Sequence, residues 1–321
     1  MIAYLLRRLV WGAVTILGVL LFLFWLFFLY AQPEDVARRA LGEKAPPEAI
    51  AQWLVNHGYD RPAVWNPEAP LDTRLFDHLS RMLRFDFGAS DADDAPIAAR
   101  LRSGIGPTLG VTLPLFAIGL PLSLALALGV AFFRDTYIDR LGVVVCVLAM
   151  SVSILLYILG GQFLLGKLLR WFPISGFDPD PGLALRFLAL PVFVGVLSGL
   201  GSDVRFFRTV FLEETGRDYV RTARAKGAGD ARVMLRHVLP NAMIPVLSAV
   251  SLTIPFLFTG SLLLESFFGI PGLGSITVEA IQNNDFATLR VMVYLGALLF
   301  IAVQAATDVA YTWVDPRVRL E

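Results

Sequence analysis

The chain has 321 residues, 56% of them hydrophobic, and a mean hydropathy of +0.66, far more apolar than a water-soluble domain of this size. Its 27 basic and 27 acidic residues cancel to a formal charge of zero, so nothing in the balance points to a nucleic-acid partner. The single cysteine, Cys146, lies in an apolar run, cannot form an internal disulfide, and reads as a small packing residue.

Six apolar runs are long enough to cross a bilayer, which takes roughly 20 residues of helix. They fall at about 9–31, 105–133, 141–166, 185–207, 240–264 and 289–313. The expected fold class is all-α, a polytopic membrane protein with six transmembrane helices. The first run follows Arg7 and Arg8 and is too long for the apolar part of a cleaved signal, so it reads as a retained span. The second carries Pro107, Pro114 and Pro121, which membrane helices tolerate when neighbours re-satisfy the backbone. The fourth is interrupted by Gly199, Gly201, Ser202 and Asp203. The chain thus divides into a first helix (1–31), an external segment (32–104) and a core of five further helices (105–321).

The basic residues set an expected orientation. With the N-terminus inside, the inner segments hold Arg7, Arg8, Arg134, Arg140, a basic loop and Arg317 with Arg319. The short outer segments hold few, chiefly Lys167, Arg170, Arg186 and Arg290. That asymmetry puts both termini in the cytoplasm.

The segment 32–104 is the one candidate extramembrane subdomain. Pro46-Pro47 open a short helix over 48–56, stopped by Gly58, with Ile50, Trp53 and Leu54 on one face. A second amphipathic helix, about 72–84, groups Leu75, Phe76, Leu79 and Leu83. The run DFGAS (86–90) leads to Asp91, Asp93 and Asp94. These pieces read as a small cap or as a docking surface.

The longest polar run on the side expected to be cytoplasmic is EETGRDYVRTARAKGAGDARVMLRHVLPNAMIP, 213–245. It carries Arg217, Arg221, Arg224, Lys226, Arg232 and Arg236, and Gly227 and Gly229 split it into two short helices. In the first, 218–226, Tyr219, Ala223 and Lys226 share a face at helical spacing. The second, 230–239, opens on Asp230 and stops at Pro240. A basic helix–Gly–helix loop either fixes topology only or docks on a soluble partner. Further on, Gly269, Pro271, Gly272 and Gly274 enforce a turn within 263–286, and Ser275 can cap a short helix.

The chemistry that is missing narrows the classes. There is no G-x4-G-K-[ST] phosphate loop, so the chain should not itself bind ATP in that manner. No metal set is evident: His57, His78 and His237 are scattered. No G-x-S-x-G nucleophile elbow appears. Ionisable and polar residues in or near spans remain as candidate pathway or gating groups: Asp203, Glu265, Gln304 and Asp308. Each can equally serve an interhelical contact.

Ala223, Gly227, Leu239 and Pro240 fall on the E-A-A-x3-G-x9-I-x-L-P pattern of ABC importer permeases. Arg221, Thr222 and His237 replace its Glu, first Ala and Ile. The wider wording DYVRTARAKGA…R…LPNAMIPV resembles the oligopeptide/dipeptide/nickel branch. So do GYDRP (58–62), DFGAS, the segment E-x-x-F-x-x-P-G-L-G from Glu265 to Gly274, and DPRVR (315–319). AQPED (31–35) stands where the branch usually has PGDP.

The resemblance implies a non-catalytic subunit of the bacterial inner membrane. It would pair with a homologous second permease subunit. Two cytoplasmic ATPase subunits, holding ATP and Mg, would drive it, and an external substrate-binding protein would deliver the solute, a peptide first of all. The coupling loop would be 211–240, with Asp218, Arg221, Thr222, Ala223, Arg224, Lys226, Gly227, Leu239 and Pro240 at the ATPase contact. The residues alone leave a second reading open, a stand-alone secondary transporter or channel. That reading needs mid-membrane coupling carboxylates and usually an internal repeat, neither of which is clear here.

Overall fold

The computed structural model describes residues 2–30, 34, 37–38, 41–42, 44–56, 58–67, 69 and 71–314. The AQPED run (apart from Glu34), His57 and DPRVR lie outside them. The described residues are helical, with no strand among them. Among the described residues, five helices are long and apolar enough to cross a membrane, and a sixth span is complete if one bent pair counts as one. Outward side chains of the spans are apolar, for example Val145, Leu148 and Phe193. A surface of that kind is stable only against hydrocarbon or another apolar surface.

The chain forms two compact units. The first gathers Met1–Ser103 and Ile276–Ala302. Helix α1 (Ile2–Phe24) ends in a widened turn over Trp25–Tyr30. Two short helices follow, α2 (Pro47–Asn56) and α3 (Arg74–Leu83). On α2, Ile50 is buried, and Trp53 stacks on Tyr59 with centroids 6.0 Å apart. On α3 the buried face is not the expected one. His78 and Met82 point inward, whereas Phe76 and Leu83 are exposed. Leu20, Leu23 and Phe24 of α1 are buried, and Phe24 packs on the His78 ring at 6.0 Å. Thr73 caps α3, accepting a hydrogen bond from the Phe76 amide.

The second unit gathers Gly104–Ser275 and Val303–Arg319. Helix α4 (Ile97–Phe132) runs unbroken through its three prolines, which sit seven residues apart. The expected third span is broken. Helix α5 (Tyr137–Ser151) and helix α6 (Ile154–Gly161, widened over Gln162–Leu168) meet at 87°. Val152 is extended there, and the Ser153 hydroxyl caps α6 by accepting from the Leu155 amide. A capping serine satisfies orphan backbone donors and starts a new helix inside an apolar run.

The expected interruption of the fourth span is absent: α7 (Pro181–Thr215) is continuous. Gly201 serves packing instead. A Cβ there would lie 2.9 Å from the Cys146 carbonyl, so glycine lets α5 and α7 meet closely. Gly161 does the same for α6 and α7, where a Cβ would be 2.6 Å from Val194.

Beyond α7 come α8 (Asp218–Ala225) and α9 (Asp230–Val233). After α9 a widened turn, Met234–Val238, runs straight into α10 (Leu239–Thr259). The second loop helix therefore does not stop at Pro240. A proline lacks the amide and its ring crowds the preceding turn. The widened turn immediately before Pro240 accommodates both effects. Three further helices follow, α11 (Leu262–Phe268), α12 (Leu273–Gln282) and α13 (Phe286–Val314).

Candidate functional site

Residues 217–238 fold into a knuckle between α7 and α10. Its inner side is apolar. Val220 and Ala223 of α8 are buried with Val233, Met234 and Val238, in one cluster with Phe207 and Phe211 of α7 and Ala242 and Val246 of α10. Val220 and Ala223 share the inward face because they are three residues apart. Lys226 is off that face: the helix ends before it, and Lys226 is its exposed C-cap.

The turn between the halves is set by Gly227. Its φ is +85°, and a Cβ there would meet no atom within 4 Å. The Gly227 amide donates to the Arg224 carbonyl at 2.9 Å and the Ala228 amide to the Ala223 carbonyl at 3.1 Å. This is the six-to-one and five-to-two pairing that closes a helix on a left-handed residue. Glycine is needed for conformation here, not for room inside this chain. Arg224 Nε then reaches Asp230 Oδ1 at 3.1 Å and ties the halves together. Tyr219 donates its hydroxyl to Glu214 Oε2 at 2.5 Å, which fastens α8 to the end of α7. Burial, and then that carboxylate, push the Tyr219 phenol above its usual range.

The outer side of the knuckle is polar and open. Asp218, Arg221, Thr222, Arg224, Lys226 and Gly227 are exposed, as are Arg217, Arg232 and Arg236. The Asp218 and Arg221 side chains are 98% and 79% accessible and 3.7 Å apart, too wet for their pairing to hold either in place. Leu239 is half-buried on the cluster and Pro240 is exposed. Of the nine residues expected at this site, Ala223 and Leu239 turn toward the chain's own core. The other seven form an open surface.

The four candidate pathway residues do not make one constellation. Glu265 is fully buried and works as a clamp. Its Oε1 accepts from the Thr108 hydroxyl and the Ser261 amide, both at 3.1 Å. Its Oε2 accepts from the amides of Gly274 at 2.7 Å and Ser275 at 3.3 Å. The Thr108 hydroxyl also accepts from the Leu273 amide at 2.7 Å. The turn Gly269–Gly274 is thereby held against α4, with Gly269 left-handed at φ +64°. Asp203 lines a groove between α4, α7 and α10. Gln304 and Asp308 are half-buried, one turn apart on α13.

Two polar centres escape a reading by motif. In the second unit, Asp139 at the start of α5 is held bidentately by Arg208 of α7, at 2.7 and 2.8 Å. In the first unit, Asp285 is 1% exposed and caps α13. It accepts from the Ser90 hydroxyl at 2.6 Å and the Asp91 amide at 3.1 Å. Asp91 in turn accepts from the Ala287 amide at 2.8 Å. The capping pattern D-F-A-T at 285–288 was the available signal for Asp285. Its partners in the DFGAS-D run were not readable, because the pairing spans about two hundred residues of chain.

Five to six apolar spans among the described residues, all helical, with an open basic knuckle between α7 and α10, make this a polytopic membrane protein. The comparisons with known proteins place it more narrowly. Residues 108–320 match the family model of the binding-protein-dependent transport system inner membrane component, and residues 1–68 match that family's N-terminal model. The chain belongs to this family, the ABC importer permeases, in its peptide branch. A protein of Brucella abortus (strain 2308), named as a peptide transport system permease, is 31% identical over all of both chains. The glutathione transport system permease protein GsiC of Salmonella typhimurium (strain LT2) is 31% identical over 99% of each.

Proposed function

We propose that this chain is one of two permease subunits in an ATP-driven importer of small peptides, and that residues 211–240 couple it to the ATPases. The knuckle is the observation that carries the reading. It is basic and open on one side, and on the other it is packed into both α7 and α10. A push on such an element reaches two spans at once. The peptide assignment rests on the branch and on the relatives' names.

In this reading the knuckle and both termini face the cytoplasm of a bacterial cell, where two ATPase chains bind ATP and Mg. Arg221, Arg224 and Lys226 meet acidic or polar groups of an ATPase. Gly227, with open space where a side chain would be, lets that surface come close. ATPase closure and docking of an external binding protein then bias the same two-state bundle, which is the physical content of coupling.

The test is to express the chain with its neighbouring genes, tag this chain alone, and look for a co-purifying ATPase. Gly227→Asp should leave insertion intact, weaken ATPase binding, and let ATP hydrolysis run without uptake. Normal uptake by that variant would sink the coupling assignment. A chain that is stable and active with no ATPase would sink the importer reading itself.

A further inference from the structure

The groove between α4, α7 and α10 has a volume of about 530 Å³ and lies wholly within the second unit. Its walls are apolar and aromatic, including Phe116, Phe206 and Phe207. Asp203 is the single ionisable residue that lines it, and Ser202, Ser248 and Thr253 supply hydroxyls. Each hydroxyl donates to a carbonyl of its own helix: Ser202 to Gly199 at 2.8 Å, Ser248 to Ile244 at 3.1 Å and Thr253 to Ala249 at 3.1 Å. Oxygens that donate to the backbone still carry lone pairs, so the Ser202 and Thr253 hydroxyls can serve a groove occupant as acceptors. The groove is therefore built from acceptors, aromatic faces and one negative charge.

Asp203 sits within the apolar stretch Gly182–Thr215 of α7, yet its side chain is exposed. Among the described residues it enters no ion pair; the nearby Arg208 is committed to Asp139. Arg205, two residues on, leaves the helix about 200° away. Gly199, one turn before, has no side chain to cover the carboxylate: a Cβ there would lie 3.7 Å from Asp203 Oδ2. A carboxylate in a membrane helix is too costly to leave facing lipid, and it marks a water-filled path or a charged partner.

We propose that Asp203 is the cation-selecting residue of the pathway, and that this groove receives the ammonium end of a peptide in transit. The proposal rests on the permease reading. Carboxylate, hydroxyl oxygens and phenylalanine faces together suit a primary ammonium, which takes three acceptors and binds favourably over aromatic rings. An anionic solute would meet the Asp203 charge and no cationic side chain in the lining. The site favours positively charged ends without reading side chains, as a carrier of varied peptides needs.

The test requires no knowledge of the substrate. The complete importer is reconstituted in liposomes with Cys146→Ser in this chain, and a single cysteine is introduced at Ser248 or at Leu252, both of which line the groove. Modification of this chain by a cationic methanethiosulfonate (ethyltrimethylammonium) and an anionic one (ethylsulfonate) is followed by mass spectrometry. The cationic reagent should react about tenfold faster, relative to their rates on a free thiol, because a carboxylate lining the same groove attracts one and repels the other. Asp203→Asn should bring the ratio near one, and Asp203→Glu should restore most of it.

Failure of both sites to react from water would overturn the proposal, since the groove would then be covered by lipid or by the second permease chain. So would a ratio near one before any change at Asp203, which would mean that a cation of another chain already neutralises it. A ratio unchanged by Asp203→Asn would overturn it as well. ATPase co-purification and the hydrolysis rate of the same preparations report separately on the permease reading.

Discussion

At the scale of single residues, the chain fixes turns with buried carboxylates and buries an imidazole on α3. Glu265 collects three amides and a hydroxyl, and the glycines around it leave it room: a Cβ on Gly272 would lie 2.2 Å from Glu265 Oε2. Truncation would strand those donors in a dry site, at roughly 1–3 kcal/mol for each one left unpaired. Glu265→Ala should therefore lower stability by about 3 kcal/mol or more, and Glu265→Gln, which keeps one acceptor, by less. Thermal unfolding of the purified complex checks the order; an Ala variant as stable as the native chain would remove the clamp from the account. His78 gives a pH signature. Burial first, then the Arg290 charge, lower its pKa to about 4, although a hydrogen bond to the Leu20 backbone opposes them. The folded state thus holds neutral imidazole where the unfolded chain takes up a proton below about pH 6.5. Stability should be full above pH 6.5 and fall as pH drops from 6.5 to 4, by about 1–2 kcal/mol at pH 5. Melting curves at pH 7.5 and pH 5 should show the drop in the native chain and a smaller one in His78→Gln.

At the scale of elements, the long apolar runs were legible and their interruptions were not. Length and composition located the spans because a bilayer demands about 20 apolar residues whatever the neighbours are. Whether a polar or small residue breaks a run depends on its partner across the bundle. Ser153 breaks the third run by capping a new helix, whereas Gly201 and Ser202 leave the fourth intact because Gly201 is pressed against α5. The same limit applied to α3, where the sequence offers leucines for burial and the fold buries His78, which packs on Phe24. The α5–α7 contact is also where an element-level prediction belongs. Asp139 is 8% exposed at its side chain and depends on Arg208. Removing one partner of a buried ion pair strands the other charge, at about 3–5 kcal/mol. Arg208→Ala should destabilise the bundle by about that much, and the Arg208→Ala, Asp139→Ala double variant should recover part of the loss. A double variant whose loss equals the sum of the two single losses would show that the pair has no special coupling.

At the scale of the whole molecule, the family was legible from a few motifs, while the working geometry of the knuckle was not. Gly227 could be placed on a pattern, but only its φ of +85° and the space around it separate a turn residue from a packing residue. Ala223 also matched the pattern, and the fold turns it inward. What remains outside is charge: Arg221, Arg224 and Lys226 project from an element whose other side is bolted to α7 and α10. Surface charges of this kind contribute little to the chain's own stability, because water screens them. They should matter only in complex, where burial against an acidic partner strengthens them and mismatch costs several kcal/mol. Arg221→Glu with Lys226→Glu should therefore leave expression and melting of this chain within about 0.5 kcal/mol of native. The same pair should reduce ATPase co-purification tenfold or more, with weaker binding at high salt in the native complex. If the reversed pair binds the ATPases as the native chain does, the basic face only sets topology, and the coupling proposed for the knuckle is left to the backbone at Gly227 and the cluster beneath it.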